Sequence, residues 1–290
     1  MSKPKKIVYQ GEPGANSDLA CRGAYPGYTP VPCPTFEDAF AVVRAGKADL
    51  AMIPIENSVA GRVADIHHLM PASGLHIVAE YFLPVRHQLM APKNATLKTI
   101  RTVESHIHAL GQCRKIIRKL GIKPVVAADT AGSAREVSEA GDITRASIAS
   151  QLAARIYKLK ILKRDVEDEK HNTTRFIVLS RAAKWAPRSR KKSPISRKII
   201  TTFVFQVRNI PAALYKALGG FATNGVNMTK LESYMVNGSF AATQFYADVE
   251  GHPHDRALEL ALEELEFVSR PGTVKILGVY PAHRFRKTMS

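Results

Sequence analysis

The chain has 290 residues, a formal net charge of +17 and 45% hydrophobic residues. That length suits about two domains, and the ordinary globular composition excludes a disordered or fibrous class. No apolar run reaches the roughly 18 residues that a membrane-crossing helix needs.

The basic start Lys3-Pro4-Lys5-Lys6 leads into a short strand rather than a long apolar core, so no signal peptide is expected and the cytoplasm is the expected compartment. Three cysteines, Cys21, Cys33 and Cys113, form no CxxC pair and are expected as reduced thiols. The His67-His68 and His106/His108 pairs lack a carboxylate–histidine companion pattern, so no metal site is expected. The charge admits nucleic acid, but no zinc finger, RRM signature or KH loop occurs. A cationic surface also attracts small dianions. No nucleic-acid partner and no membrane partner is expected.

In chain order, residues 7–9 read as a strand, 17–23 as a helix and 35–46 as a helix with Phe36, Ala39, Phe40 and Val43 on one face. Residues 50–55 form an apolar strand running into Glu56-Asn57-Ser58. This is the alternation of a mostly parallel sheet. A strand at 76–83 meets Pro84, and a second α/β block follows. Ser105 caps an expected helix over about 107–120 that Gly121 ends. A strand at 123–127, a helix capped by Asp129-Thr130, a strand at 145–149, a helix at 151–157 and a return strand through 171–180 complete two α/β lobes with a cleft between them. Residues 182–198, with Lys184, Arg188, Arg190, Lys191, Lys192, Arg197, Lys198, two prolines and no acid, read as a linker. Residues 199–286 then carry a β-α-β-β-α-β pattern with a hairpin turn at Asn237-Gly238, the ferredoxin-like arrangement.

Four polar segments fall where ligand sites of such sheets lie, beyond strand ends and at helix starts. They are residues 11–17, Glu56-Asn57-Ser58, Ser105-His106 and Asp129-Thr130-Ala131. Any one reads equally as a helix cap; four together suggest a donor-rich pocket for carboxylates. His171-Asn172-Thr173-Thr174-Arg175-Phe176 reads either as a polar start to a strand or as a hydroxyl beside a guanidinium, aimed at one anion. No G-x-G-x-x-G, P-loop or G-x-S-x-G element is present, so no cofactor is expected.

These motifs, in order and spacing, resemble the prephenate dehydratase family over nearly the whole chain. The match runs through Tyr9-Gln10-Gly11 with Pro13-Gly14-Ala15 and Ser17, Pro54-Ile55-Glu56-Asn57-Ser58 with Gly61, and Ser105-His106 with Ala109-Leu110 and Gln112-Cys113. It continues through Asp129-Thr130-Ala131, Ala149-Ser150 with Ala153-Ala154 and Tyr157, and Thr174-Arg175-Phe176. The C-terminal module resembles an ACT domain, with Leu231-Glu232-Ser233 as its Glu-Ser motif.

The resemblance implies a two-lobed, periplasmic-binding-protein-like catalytic domain over residues 1–181, with hinges near 83–84 and 168–172, followed by the linker and a regulatory ACT domain over 199–286. It implies decarboxylating dehydration of prephenate to phenylpyruvate in phenylalanine biosynthesis, with phenylalanine as allosteric inhibitor and a homodimer or homotetramer as the assembly. Thr174 is the implied catalytic residue, with Arg175 meeting a carboxylate or bracing the cleft. His106 is either a proton carrier or an orienting group. Ser17, Asn57, Ser58, Ser105, Thr130 and Phe176 are the expected substrate contacts. Ala213, Leu214, Asn224, Asn227, Glu232 and Ser233 are the expected effector contacts. A single activity is expected, because the chain opens directly on the first strand.

Departures from the family pattern are Ser105-His106-Ile107-His108 for Ser-His-Pro-Gln, Ala15-Asn16 for the bacterial Thr-Phe, Ala212-Ala213-Leu214 for Gly-Ala-Leu, and Tyr234-Met235 for Arg-Pro. Ala15 is shared with plant arogenate dehydratases, which keeps arogenate open as the substrate. A non-catalytic amino-acid-binding regulator is the alternative of a different class.

Overall fold

The computed structural model describes residues 4–188, 198–236 and 239–288. The Asn237-Gly238 turn and most of the basic segment, including Arg190, Lys191, Lys192 and Arg197, lie outside the described residues. The first half of the chain runs β1 (Lys6–Gln10), α1 (Asn16–Ala24), β2 (Thr29–Cys33), α2 (Phe36–Arg44), β3 (Leu50–Asn57), β4 (Gly61–Arg62), α3 (Ala64–Ala72), β5 (His76–Pro84), β6 (Gln88–Ala91) and β7 (Thr102–Ser105). Next come α4 (Ile107–Gly111), α5 (Arg114–Leu120), β8 (Lys123–Val126), α6 (Thr130–Ala140), β9 (Arg145–Ala149), α7 (Gln151–Ile156), β10 (Lys160–Lys163) and β11 (Thr173–Ser180). The chain ends with β12 (Ile199–Gln206), α8 (Ala213–Thr223), β13 (Met228–Val236), β14 (Ser239–Glu250), α9 (Arg256–Val268), β15 (Lys275–Pro281) and a 3-10 turn at Arg284–Thr288.

Two compact units result, one from Met1–Arg62 with Phe82–Phe176, the other from Val63–Tyr81 with Ile177–Ser290. The sequence-based division at 181 therefore differs from the packing, because residues 63–81 fold with the C-terminal module. Gly278 contributes to this: β15 pairs in parallel with β5 at Gly278 and Ile77, where a Cβ would collide with the Ile77 carbonyl.

The first unit is a pair of α/β lobes. In one, β1 pairs in parallel with both β2 and β3; β1 is buried through Ile7, Val8 and Tyr9, and β3 through residues 50–53 and 55. Strands buried on both faces are apolar throughout, as parallel sheets require. The other lobe is a five-stranded sheet of order β10-β6-β9-β7-β8, in which β7, β8 and β9 are parallel. Parallel strands end on the same side, so the loops after β1 and β3 share one edge, as do those after β7, β8 and β9.

A clasp joins the lobes. Gly14, at φ +91°, packs against α7, where a Cβ would sit 2.7 Å from Ala153 Cα. The Ser150 hydroxyl donates to the Gly14 carbonyl at 2.5 Å and the Tyr157 hydroxyl to the Pro13 carbonyl at 2.9 Å. The Gly14 amide donates to buried Asp18 at 2.9 Å, which Arg22 neutralises at 2.7 Å.

The helix expected over 107–120 is instead two, α4 and α5. His106, not Ser105, is the first cap. Cys113 leaves helical geometry at φ −125° and is buried, breaking the run after Gln112. The remaining expected elements of this unit appear with ends shifted by one or two residues. Short β2, β4, β6, β7 and β10, and α3 with its internal Pro71, are not expected from the sequence.

In the second unit the strand order β13-β14-β12-β15, with α8 and α9 packed together, is the ferredoxin-like arrangement. Its core stacks Phe203 on Phe221 and Phe205 on Phe245. Among the described residues no helix is long and apolar enough to cross a membrane.

Candidate active site

The loop after β3 turns on Asn57. Its Oδ1 accepts from the backbone N–H groups of Val59 and Ala60 at 2.9 and 2.8 Å. Two donors on one atom identify that atom as the carbonyl oxygen, so the Asn57 nitrogen faces the other way. Its two hydrogens go to Asn172 Oδ1 at 2.7 Å and to Thr174 Oγ1 at 2.9 Å. Thr174, at the start of β11, is thus an acceptor toward Asn57, and its own hydrogen is unspent. Among the described residues no protein group accepts it.

The direction propagates. Asn172 is 1% exposed, and with its oxygen occupied its nitrogen donates to Gln112 Oε1 at 2.7 Å. Gln112 Oε1 also meets His87 Nε2 at 3.0 Å. An oxygen that accepts twice again sets the partner, so His87 carries its proton on Nε2. Burial holds the His87 pKa below its ordinary value, against the opposing pulls of the Gln112 bond and Glu167. The Gln112 nitrogen is left without a partner among the described residues. Gln112 lines an open groove of about 650 Å³ with Val59, Ile107, Leu110, Arg114 and Ile117.

The other expected residues divide. Arg175 is 3% exposed and pairs with Glu56 at 2.9 Å, while its guanidinium carbon lies 6.0 Å from the Phe82 ring centroid. Its charge is matched within the fold, so it braces β3 against β11. Phe176, expected to touch substrate, is 1% exposed and belongs to the core. Ser58 spends its hydrogen on the His171 carbonyl at 2.8 Å. Ser105 is fully buried and spends its hydrogen on the Ile148 carbonyl at 2.6 Å. Both serines fix backbone and have no hydrogen left to offer.

His106 caps α4 by accepting the His108 amide on Nδ1 at 3.3 Å, and burial, then His108, lowers its pKa. With Nδ1 accepting, Nε2 is the nitrogen that carries a hydrogen. Asp129 caps α6 through the Ala131 and Gly132 amides, leaving Thr130 as the first helical residue. Ser17 is nearly buried on α1. Among the described residues no hydrogen bond joins Ser17, Ser105, His106 or Thr130 to Thr174.

The expected effector residues are not gathered within one chain. Ala213 and Leu214 begin α8, and Asn224 caps its other end, about 16 Å away at 1.5 Å per residue. Asn224 donates to the Gly220 carbonyl and to Glu264, Asn227 is exposed, and Glu232 pairs with Lys230; Ser233 follows it on β13. Ala212, where the family has Gly, takes the left-handed conformation at φ 58°. It borders a cavity of about 300 Å³ lined by Val207, Ile210, Leu214, Thr243 and Phe245.

Gln112 and Asn172 stand within the sequence motifs, but residue order alone assigns them no role. His87, inside Val85-Arg86-His87-Gln88-Leu89, gives no signal of its own.

A family model described as prephenate dehydratase matches residues 7–184. The chain belongs to the prephenate dehydratase family. It is similar to the bifunctional N-acyl-homoserine lactone acylase/prephenate dehydratase of Komagataeibacter europaeus, at 52% identity over 99% of each chain. It is also similar to arogenate dehydratase/prephenate dehydratase 1 of Arabidopsis thaliana, at 38% identity over 95% of this chain and 72% of that one. Among solved structures, the prephenate dehydratase of Arthrobacter aurescens in complex with L-Phe is 30% identical, with a TM-score of 0.85 over 96% of this chain and 90% of that chain. The prephenate dehydratase fold thus covers both lobes and the ACT domain.

A pH dependence follows from His87. Its folded-state pKa lies below the unfolded value near 6.5, so the unfolded chain binds the proton more readily. Stability is expected to fall as pH drops below about 6.5 toward the depressed native value. Urea midpoints between pH 7.5 and 5 should decline, and His87→Gln should remove part of that decline. His106 and His252, shifted the same way, retain the remainder.

Proposed function

We propose that this chain converts prephenate to phenylpyruvate, carbon dioxide and water. The observation that carries the reading is the Thr174 hydroxyl, made an acceptor on one side by Asn57 and so left with a hydrogen to donate. In prephenate the electrons of the breaking C–CO2 bond move through the ring and expel the 4-hydroxyl, which takes one proton to leave as water. The ring becomes aromatic, so the driving force lies in the product. What remains for the protein is to orient a dianion and to stabilise charge building on the departing oxygen.

Thr174 supplies a hydrogen bond at that oxygen. An alcohol is too weak an acid to hold a negative charge, so the proton delivered through Thr174 is replaced from a neighbour or solvent. The Nε2–H of His106 is a second candidate donor. Gln112 and exposed Arg114 and Arg118 line the groove and suit the carboxylates, a role that Arg175 cannot fill while paired with Glu56.

Purified protein should form phenylpyruvate from prephenate. Thr174→Val, which keeps the shape and removes the hydroxyl, should lower kcat by on the order of 10²-fold with little change in KM, and Thr174→Ser should retain most activity. Turnover unaffected by Thr174→Val would sink the assignment. Offering arogenate in competition and comparing kcat/KM sets the preference between the two.

Phenylalanine regulation through the ACT domain is part of the same reading, supported by the neighbour crystallised with L-Phe. The strained Ala212 stands at the mouth of the cavity. Phenylalanine should lower turnover, and Ala212→Gly should shift inhibition to lower concentration, read from inhibition curves and calorimetry; no phenylalanine binding by either protein would refute it.

A second reading, additional to the first, is amide hydrolysis of N-acyl-homoserine lactones. The groove wall of Val59, Ile107, Leu110, Ile117, Ile122 and Val126 is more apolar than prephenate requires, and the 52%-identical relative carries that activity in its name. Water addition would release a fatty acid and homoserine lactone. Mass spectrometry of the protein incubated with hexanoyl-homoserine lactone decides it, intact substrate excluding the activity.

A further inference from the structure

The reading above uses the end of a hydrogen-bond chain; its beginning has a function of its own. Among the described residues of the chain, Gln112 is the member that also lines the groove. If its oxygen pointed to the groove, a substrate carboxylate would meet a partial negative charge instead of two N–H donors. Nothing intrinsic to a glutamine side chain selects between the two orientations, which differ by a half-turn of the amide.

The selection comes from its neighbours. Asn172 is forced to donate because Asn57 has claimed its oxygen. His87 sits 3% exposed with Nε2 3.0 Å from Gln112 Oε1. Its main chain is held: the His87 N–H donates to Glu167 at 2.9 Å, and its carbonyl accepts from the Val166 N–H at 2.9 Å. The same Glu167 takes Arg86 at 3.0 Å. The Gln112 carbonyl accepts the Asp168 N–H at 2.6 Å, which pins the residue from its backbone side. Two donors converge on one oxygen, and the amide nitrogen is turned away from both as a result.

We infer that His87 and Asn172 are positioning residues for this reaction: together they fix the Gln112 amide with its nitrogen toward the groove, where it binds a carboxylate of the dianionic substrate. His87 itself does not line the groove. The inference rests on the reading of the groove as the substrate site, and it separates from the role of Thr174 in what it changes. A carboxylate contact is made in the ground state, whereas help to a departing oxygen is felt only as the bond breaks. Losing the first raises KM; losing the second lowers kcat.

The polarity makes a spectroscopic statement that needs no activity. The wild-type protein, labelled with 15N in its histidines and with the His87 signals assigned by comparison with His87→Gln, should show His87 as the Nε2–H tautomer at pH 7.5. Asn172→Asp removes the donor at 172 while still accepting from Asn57. Gln112 must then turn its nitrogen inward, and His87 must accept on Nε2, so the His87 tautomer should invert to Nδ1–H. In the same variant the oxygen of Gln112 faces the groove, and KM for prephenate should rise on the order of tenfold to a hundredfold with a smaller change in kcat. His87→Leu, which deletes one of the two donors, should raise KM by less. His87→Gln, whose own amide reaches to the Nε2 position, should restore KM toward the wild-type value.

An Nδ1–H tautomer in the wild type overturns the inference outright. So does an inverted tautomer in Asn172→Asp with KM unchanged, which would mean that the chain exists but does not present the amide to substrate. If the variants unfold, the wild-type tautomer alone still decides whether the chain has this direction. A wild-type level of kcat in Thr174→Val, with the His87 and Asn172 results as expected, would instead remove the assignment of Thr174 and leave this one standing.

Discussion

Two backbone N–H groups, those of Val59 and Ala60, converge on one oxygen of Asn57, and the chemistry of the first unit depends on that choice. An asparagine amide is nearly symmetric in shape, yet opposite in hydrogen bonding at its two ends. Once the main chain takes the oxygen, the direction of every later bond is set without further freedom. Thr174 becomes a donor outward, Asn172 a donor to Gln112, and His87 a donor from Nε2. The turn after β3 is therefore a polarity switch locked by the peptide backbone, which cannot rotate or titrate.

Arg175 and Glu56 serve the same site in a different manner. A guanidinium at 3% exposure is costly unless matched, and Glu56, from the strand end next to Asn57, matches it at 2.9 Å. The pair ties β11 to β3 one residue from each end of the Asn57–Thr174 bond. Charge here maintains geometry, while the groove carries the amide of Gln112 and the exposed cations Arg114 and Arg118. On the proposed reading that partition suits a substrate that loses one of its two carboxylates as carbon dioxide: solvent-exposed cations hold the dianion without trapping the product as strongly as a buried cation would.

Much of this could be read from residue order. The buried strand 50–55, the Asp129 cap, the β-α-β-β-α-β pattern and the motifs around Asn57 and Thr174 are local, and local periodicity and capping report them. Four features were not legible. Cys113 breaks a helix for tertiary reasons, since its thiol side is buried and nothing in Gln112-Cys113-Arg114 opposes helix. Ser58 and Ser105 looked like donors because a sequence cannot show that a distant carbonyl, at His171 or Ile148, consumes the hydrogen. His87 reaches Gln112 across 25 positions, and residues 63–81 join the C-terminal unit through the approach of β5 to Gly278. Each depends on residues distant in sequence, which composition and spacing do not encode.

Gly14 bears on how the first unit comes apart. Its missing side chain lets the loop after β1 press on α7, and Ser150 and Tyr157 seal that contact with hydrogen bonds to two successive carbonyls. The two sheets thereby share one seam of buried main chain. Neither can lose its order without stranding polar groups that belong to the other, which couples the unfolding of one lobe to that of the other.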